Sequence, residues 1–241
     1  MNIRQLLQSI TGYWIHKQDT LPIGTDLFYD LTKRIQNNNL DIIFDVGANV
    51  GQTYEWVRHY QQVSKLYCFE PVQSVFKVLQ QKAGHDRNCV LENLALGDTP
   101  ATKTIRLHDD FSVLNSLRDD LMNQNFKAKE ELIIVDTLDA YCNKNNISRI
   151  DLLKIDTEGY EMQVLHGATN MLANAAVAFI YCEVGFLRAN TRNTNLGDLC
   201  EFLAEKEYVF FGLYQVSHYD WKNGNSFGNA LFVHSSYLKG F

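Results

Sequence analysis

The most informative part of the sequence is Asp41-Ile-Ile-Phe-Asp-Val-Gly-Ala-Asn-Val-Gly-Gln-Thr53. Its first half is an apolar, β-branched run, which is typical of a buried strand, and its second half carries Gly47, Asn49 and Gly51 before a helical pattern begins. Glycine lets the backbone approach a ligand closely, and Asn tolerates a positive φ better than most residues. We therefore predict a strand, then a ligand-binding turn, then a helix whose first N–H groups face the ligand.

An acidic residue ends the next predicted strand. Glu70 follows Gly51 by 19 residues, and a carboxylate at this place can accept hydrogen bonds from both hydroxyls of a ribose. The turn and the acid together indicate a nucleoside cofactor. The dinucleotide pattern G-x-G-x-x-G is not matched, because position 49 is Asn and the last glycine is at 51 instead of 52. This departure, with Asp45 placed to meet a cationic amino group, favours S-adenosylmethionine over a nicotinamide dinucleotide.

Short β-type runs alternate with helical patterns along most of the chain, which predicts a parallel sheet with crossover helices. Two aromatic-rich runs with no helix between them, Tyr208 to Tyr214 and Asn229 to His234, predict an antiparallel pair at the sheet edge. The parallel strands are predicted at Asp41 to Val46, Lys65 to Glu70, Cys89 to Ala95, Asp151 to Asp156 and Val177 to Glu183. Helices are predicted at Tyr54 to Tyr60 and Gln73 to Lys82, with one apolar helical face from Val164 to Leu172 and another from Leu196 to Leu203.

One region interrupts this alternation. Two β-type runs, Lys103 to Leu107 and Glu131 to Val135, are separated by about two dozen residues. Loops of this length in compact domains are often functional, so we predict an insertion over residues 101–136 beside the ligand edge of the sheet.

The whole chain is predicted to consist of a helical N-terminal extension, residues 1–40, and one domain, residues 41–241. The apolar spacing of Ile3, Leu6, Leu7 and Ile10 predicts a first helix that docks on the domain. The extension could cap the cofactor site or pair two subunits as a homodimer, through the residues Trp14, Leu27, Phe28 and Leu31.

Composition limits the class of protein. The chain has 241 residues, 46% of them hydrophobic, and a net charge of −6, which is typical of a globular protein and argues against nucleic acid or anionic lipid as the main partner. The five cysteines are widely spaced with no C-x-x-C pair, so neither a zinc site nor a disulfide framework is indicated, and a cytoplasmic location is the default. The longest apolar run, Ala175 to Cys182, is too short for a membrane span.

Several segments resemble the FkbM family of S-adenosylmethionine-dependent methyltransferases. The resemblance extends from about Asp41 to Val233, and the run Lys-Ile-Asp-x-Glu-Gly-x-Glu in register with the first motif makes it specific. The segments are Asp45-Val-Gly-Ala-Asn-Val-Gly51, Phe69-Glu70-Pro71, Asn93-Leu-Ala-Leu-Gly-Asp98, Asn115-Ser116-Leu117, Thr137-Leu138-Asp139 and Asp151-Leu-Leu-Lys-Ile-Asp-Thr-Glu-Gly-Tyr-Glu161.

The resemblance implies a class I methyltransferase fold. This is a Rossmann-like, three-layer α/β sandwich around a mostly parallel seven-stranded sheet, here with an antiparallel C-terminal edge pair and an inserted β-hairpin. Characterised members mostly methylate hydroxyl oxygens, so the expected acceptor is a hydroxyl of a sugar, a glycan or another natural product. The implied cofactor contacts are Asp45, Gly47, Asn49, Gly51, Glu70, Asn93 and Ala95, and we add Thr53, Pro71, Leu96 and Asp156 to this predicted set.

Three predicted neighbouring strands end in an acid. The expected strand order places Asp45, Asp156 and Glu183 in a row at the ligand edge, and a carboxylate that ends a buried strand is costly unless it is bonded. Methyl transfer to a hydroxyl needs a group that orients the acceptor and receives its proton. We predict that Asp156 or Glu183 does so and that Ser116, in the insertion, helps to position the acceptor. Asp156 and Glu183 could also bind a divalent cation, which we do not expect.

Other roles and functions stay open. Glu158 and Glu161 begin the next helix, where the helix dipole favours acids, so a structural role explains them as well as a functional one. His218 and His234 are less favoured candidates for the base. N-methylation, peptide methylation, a nicotinamide-dependent oxidoreductase and a non-catalytic cofactor-binding module are the alternative functions.

Overall fold

The computed structural model describes residues 3–13, 16–35, 40–60, 63–107, 129–188, 192–217 and 227–238. Its strands are β1 (Ile42–Val46), β2 (Lys65–Phe69), β3 (Cys89–Glu92), β4 (Ala95–Leu96), β5 (Ala101–Leu107), β6 (Lys129–Asp136), β7 (Ile150–Ile155), β8 (Val177–Gly185), β9 (Tyr208–Tyr214) and β10 (Phe227–His234). Its α-helices are α1 (Ile3–Thr11), α2 (Leu27–Tyr29), α3 (Gln52–Tyr60), α4 (Gln73–Ala83), α5 (Leu138–Lys144), α6 (Glu161–His166), α7 (Thr169–Ala173) and α8 (Leu196–Ala204). A π-helical segment, Asp30–Ile35, continues α2, and 3₁₀ turns lie at Gln18–Thr20 and Ser235–Tyr237.

Seven strands form the central sheet in the order β3-β2-β1-β7-β8-β10-β9. The first five of these run parallel, whereas β10 is antiparallel to both β8 and β9. The strands β4, β6 and β5 form a smaller sheet, in which β5 and β6 make an antiparallel ladder. The predicted α/β fold is therefore confirmed, including its edge pair and its inserted hairpin.

Helices cover both faces of the central sheet. On one face, Leu138, Leu165 and Leu203 from α5, α6 and α8 pack in one buried apolar cluster with the sheet. On the other face, Leu31 of the N-terminal segment and Val57 of α3 belong to a second buried cluster. Burial of these two faces supplies the main driving force for folding.

The predicted strand Cys89 to Ala95 is divided in the structure. The chain pairs with β2 as β3, then turns and joins the small sheet as β4. Asn93 holds this turn, because its side-chain amide donates to the backbone carbonyls of Glu70 and Pro71 at 2.9 and 2.8 Å. These contacts come from the neighbouring strand end, so local propensity does not reveal the break.

The single helical face predicted from Val164 to Leu172 belongs to two short helices, α6 and α7. The Asp139 carboxylate, from α5, accepts hydrogen bonds from the N–H groups of Asn170 and Met171 at 2.7 and 2.9 Å and so starts α7 afresh. Satisfying the first N–H groups of a helix is what a cap does, and here the cap comes from a distant residue.

The first helix does not dock as predicted. α1 contains no buried residue, and its apolar side chains Ile3 and Ile10 are 79% and 72% exposed. Of the predicted apolar residues further along, Leu27, Phe28 and Leu31 are buried in the core, and Trp14 lies outside the described residues. Within the described chain, no helix is both long enough and apolar enough to cross a bilayer.

Candidate active site

A cavity of about 360 Å³ opens at the carboxyl ends of the parallel strands. Ligands bind at this edge in open α/β sheets. The turn after β1, the ends of β2 and β7 and part of the small sheet form its walls. Of the predicted site residues, Gly47, Asn49, Thr53, Glu70, Pro71, Ala95, Leu96 and Asp156 line it.

The other predicted site residues lie near the cavity without lining it. Asp45 is fully buried in β1, Gly51 ends the turn with φ 87°, and Asn93 braces the end of β2. Glu183 lies near Asp156 at the end of β8. Ser116 lies outside the described residues, so its predicted role stays a prediction.

The turn after β1 has the conformation that its residues predict. Gly47 has φ 83°, and a Cβ atom there would lie 1.9 Å from the carbonyl oxygen of Asp156, so only glycine fits between the ends of β1 and β7. Asn49 has φ 47°, in the left-handed region that Asn enters more readily than most residues.

The N–H groups of this turn do not face the cavity as free donors. The sequence prediction concerned the first N–H groups of the following helix, α3, whose residues Gln52 and Thr53 line the cavity. Each of four successive N–H groups of the turn donates a hydrogen bond within the protein. The bonds run from Gly47 and Ala48 to the carbonyl of Phe69 at 3.0 and 2.9 Å, from Asn49 to the Glu70 carboxylate at 3.0 Å, and from Val50 to the Asn49 side chain at 2.8 Å.

Glu70 is 7% exposed, and each of its carboxylate oxygens accepts one backbone N–H. Oε2 bonds to Asn49 and Oε1 to Val72, at 3.0 and 2.8 Å. Burial raises the pKa of Glu70 to about 7, against the opposing effect of these two hydrogen bonds. A carboxylate oxygen has a second lone pair, so both oxygens can still accept a ribose hydroxyl.

These features suit an S-adenosyl cofactor better than a dinucleotide. A pyrophosphate binds through N–H donors of such a turn and of the helix after it, and four successive donors of the turn are already used. The adenosine that both cofactors contain needs an acid for its ribose, which Glu70 provides, and an apolar surface for its base. The cavity offers that surface with Phe69, Val72 and Leu96.

Lys154 links two of the predicted acidic residues. Its Nζ lies 3.1 Å from Asp45 Oδ1 and 3.3 Å from Asp156 Oδ2, and it lines the cavity. Burial disfavours the ammonium, but the charges and hydrogen bonds of the two carboxylates outweigh burial and raise the pKa of Lys154 above its ordinary value. Asp45 therefore meets the cationic amino group of Lys154 in the protein itself.

Three carboxylates converge beside Lys154. Asp156, Glu158 and Glu183 each place an oxygen within 4.8 Å of the others. Burial, then repulsion from neighbouring acids, raises the pKa of Glu183 to about 8, while burial raises that of Glu158 to about 7 against the charge of Arg192. Arg192 Nη2 lies 2.5 Å from Glu158, and Asn193 donates to Glu183 at 2.6 Å.

The cluster can therefore take up a proton near neutral pH. Its three oxygens are also close enough to hold a divalent cation. The cation stays a possibility that we do not expect, because Glu158 and Glu183 already bond to Arg192 and Asn193.

The sequence left open whether Glu161 has a structural or a functional role, and its contacts in the structure are structural. It is fully buried and accepts hydrogen bonds from the N–H groups of Thr157 and Gly159 and from the hydroxyl of Thr194.

His234, a less favoured candidate for the base, is wrongly placed for that role. It ends β10, which runs antiparallel to β8, so it lies at the opposite edge of the sheet, where it pairs with Tyr208. His218 lies outside the described residues.

The cavity includes residues that the sequence motifs did not identify. Four such residues line it in addition to Asp156, namely Trp56, Tyr181, Gln215 and Asn229. Strand alternation places Tyr181 on the same face as Glu183, and helical spacing places Trp56 one turn after Thr53, so both signals were present. Gln215 and Asn229 carried no such signal, because their position depends on the pairing of β9 with β10.

Comparison with known proteins agrees with this geometry. A family model described as the methyltransferase FkbM domain matches residues 45–210, which is more than half of the chain. Among solved structures, the chain is similar to methyltransferase FkbM from Methylobacillus flagellatus, with 17% identity and a TM-score of 0.52 over 80% of this chain and 43% of that one. No curated protein matches the sequence significantly.

Two further structures are less similar. A putative tRNA methyltransferase of Streptococcus pneumoniae is 11% identical, with a TM-score of 0.46 over 86% of this chain and 68% of that one. An rRNA methylase from Streptococcus thermophilus is 10% identical, with a TM-score of 0.47 over 85% and 92%. The present chain spans less than half of the M. flagellatus protein, and at 17% identity that likeness shows the fold alone. The family model confirms the resemblance seen in the motifs, and the chain belongs to the FkbM methyltransferase family.

Proposed function

We propose that this protein is an S-adenosylmethionine-dependent methyltransferase that methylates a hydroxyl of a sugar, a glycan or another natural product. The observation that carries the proposal is the cavity, which joins two chemically different halves. The cofactor half contains the turn after β1, Glu70 and the apolar wall, and the acceptor half contains Lys154, Asp156, Glu158 and Tyr181.

The cofactor half would hold the nucleoside. Glu70 accepts the ribose hydroxyls, and Phe69, Val72 and Leu96 cover the base. When bound, S-adenosylmethionine supplies a methyl group activated by a sulfonium centre. The protein has to orient an acceptor toward that methyl group and remove the acceptor's proton.

The acceptor half would perform both tasks. Asp156 lines the cavity, and Lys154 fixes its carboxylate at 3.3 Å, so it can hold an acceptor hydroxyl in one orientation. The proton then passes to the carboxylate cluster, where Glu158, with a pKa of about 7, is partly ionised near neutral pH and can accept it, while Glu183, with a pKa of about 8, is mostly protonated. Ser116 of the insertion is proposed to help position the acceptor.

The charge of this half favours neutral acceptors. The carboxylates of Asp45, Asp156, Glu158 and Glu183 surround two described cations, Lys154 and Arg192, which are both already paired, so this half offers no spare positive charge to an anionic ligand such as nucleic acid. A polyhydroxyl compound carries no charge and offers many hydrogen-bonding groups. We therefore propose a small-molecule or glycan acceptor.

Two measurements test the proposal. Calorimetry should detect binding of S-adenosylhomocysteine and no comparable binding of NAD, whereas the reverse would indicate an oxidoreductase. Mass spectrometry of metabolite extracts incubated with the protein and methyl-labelled S-adenosylmethionine should then reveal a labelled methyl ether. Tight cofactor binding with no labelled product from any extract would instead support a non-catalytic binding module, and a labelled N-methyl product would move the reaction to nitrogen.

A further inference from the structure

A buried tyrosine in the acceptor half has no assigned role. Tyr181 on β8 is 2% exposed and lines the cavity. Its hydroxyl is buried and makes no hydrogen bond with any residue of the described chain. Buried polar groups are nearly always paired in folded proteins, so an unpaired one calls for a ligand or a water molecule.

The neighbours of Tyr181 explain why its proton stays available. Asp45, Lys154 and Tyr181 stand in one row across β1, β7 and β8, because the strand registers pair Asp45 with Lys154 and Lys154 with Tyr181. The lysine ammonium offers donors only and cannot accept a hydrogen bond from the phenol. It is moreover engaged by the carboxylates of Asp45 and Asp156.

The ring of Tyr181 is held by aromatic neighbours. Its centroid lies 5.7 Å from that of Tyr214 in an edge-on contact and 6.3 Å from that of Trp56. Burial, opposed by the nearby Lys154 charge, raises the pKa of Tyr181 well above its ordinary value. The phenol thus stays protonated at neutral pH and acts as a hydrogen-bond donor.

The position of Tyr181 assigns it to the acceptor rather than to the cofactor. β8 is two strands away from β1, which is about 10 Å at ordinary strand spacing. The ribose acid Glu70 lies one strand further in the opposite direction, after β2. Tyr181 is instead beside β7, the strand that leads into Asp156.

We propose that the Tyr181 hydroxyl donates a hydrogen bond to the oxygen of the acceptor hydroxyl while Asp156 receives that hydroxyl's proton. This inference rests on the function proposed above and adds to it a residue that contacts the acceptor oxygen. An alcohol oxygen has two lone pairs, so one can accept from Tyr181 while the other forms the bond to the methyl carbon. A neutral amine has one lone pair, which the same hydrogen bond would block. Tyr181 therefore selects oxygen over nitrogen.

The test compares Tyr181→Phe with Tyr208→Phe. Both variants remove one hydroxyl from a buried ring, but the hydroxyl of Tyr208 bonds to the carbonyl of Val177 at 2.6 Å, at the opposite edge of the sheet. Tyr208→Phe should lower the melting temperature and leave methyl transfer unchanged. Tyr181→Phe should keep the melting temperature and keep S-adenosylhomocysteine affinity within twofold, while labelled product from the active extract falls at least tenfold.

A structural role for the hydroxyl, transfer to nitrogen and failure of the proposed function would each give a different result. If Tyr181→Phe forms as much product as the wild type, or loses stability as Tyr208→Phe does, then its hydroxyl is structural and the inference is wrong. A labelled N-methyl product also overturns it. If the wild type transfers no label at all, the proposed function fails first, and this inference fails with it.

A spectroscopic measurement gives a readout that does not depend on turnover. The protein is labelled with [4-¹³C]tyrosine, and the Tyr181 resonance is assigned by its absence in Tyr181→Phe. Adding the purified methylated product together with S-adenosylhomocysteine should shift this resonance, because the ether oxygen still accepts the phenol hydrogen. An unchanged resonance at saturating product contradicts the contact.

Discussion

The two halves of the cavity satisfy their polar groups in different ways. In the cofactor half, the turn after β1 and Glu70 bond to each other, and the described donors of the turn are used locally. In the acceptor half, three carboxylates lie within 4.8 Å of one another, and the hydroxyl of Tyr181 has no partner among the described residues. The cofactor half is thus pre-formed, whereas the acceptor half has proton and hydrogen-bond capacity left for a substrate.

This difference predicts that variants of the two halves fail in different ways. A change in the cofactor half should weaken cofactor binding and be overcome by more cofactor. A change in the acceptor half should slow methyl transfer even when cofactor is saturating.

The largest effect is expected for Asp156→Asn. Losing the group that orients and deprotonates the acceptor should reduce turnover by about 10²–10⁴-fold, the usual contribution of general base catalysis. S-adenosylhomocysteine affinity should stay within a few-fold. Asp198→Asn, an exposed partner of Arg188, is the matched control and should leave turnover unchanged. Normal turnover in Asp156→Asn would remove Asp156 from the mechanism.

Glu70→Gln should act on binding instead. Replacing a charged acceptor of ribose hydroxyls by an amide should weaken S-adenosylhomocysteine binding by roughly 10–100-fold, because hydrogen bonds to charged groups contribute about 1.5–3 kcal/mol. Calorimetry on the folded variant measures this. Glu92→Gln, at the end of the neighbouring strand β3 and outside the cavity lining, should bind normally. Equal affinity in Glu70→Gln and the wild type would contradict the ribose contact.

Cofactor binding should also depend on pH through Glu70. Its pKa of about 7 in the free protein lies above the ordinary value of 4.5, and ribose hydroxyls favour the ionised form. S-adenosylhomocysteine affinity should therefore be constant above about pH 7.5 and fall by up to about tenfold per pH unit below 7. Calorimetry between pH 8 and 5.5 tests this, and Glu70→Gln should give a flat profile. A flat wild-type profile would show that Glu70 does not bind as the anion.

Glu183→Gln should change how stability depends on pH. The folded-state pKa of Glu183 is about 8 against an ordinary 4.5, so between these values the folded protein holds the proton more tightly than the unfolded chain. Its stability consequently falls as pH rises through this window. Relative to the wild type, Glu183→Gln should gain on the order of 1–3 kcal/mol of unfolding free energy between pH 5 and pH 9. If the difference in unfolding free energy between Glu183→Gln and the wild type does not vary with pH, then the pKa of Glu183 is not raised by burial.

The smallest effect is expected from metal removal. Excess chelator should leave methyl transfer unchanged, because Arg192 and Asn193 already bond to two of the three carboxylates in the cluster. A loss of activity that added Mg²⁺ or Mn²⁺ restores would show instead that the cluster holds a cation.

The same contrast explains how much of the site the sequence could predict. Gly47, Asn49 and Glu70 lie in short contiguous motifs whose geometry is local, and all three line the cavity. The acceptor half depends on pairing between distant strands. Tyr181 could have been found from its alternation with Glu183, but Asn229 required the register of β10.

Long-range contacts also account for the errors in the predicted fold. The end of β3 at Asn93 and the start of α7 under the Asp139 cap are both set by residues that are distant in sequence. His234 was misplaced because an antiparallel strand carries its carboxyl end to the opposite edge of the sheet.

The division of the cavity into two halves can be tested in a single experiment on three forms of the protein. Single-turnover transfer of a labelled methyl group from saturating S-adenosylmethionine is measured for the wild type, Asp156→Asn and Glu70→Gln with the same acceptor extract. The account predicts labelled product from the wild type, nearly as much from Glu70→Gln, and almost none from Asp156→Asn. Product from Asp156→Asn at the wild-type rate, or a defect in Glu70→Gln that saturating cofactor does not restore, would contradict the division of the cavity into a cofactor half and an acceptor half.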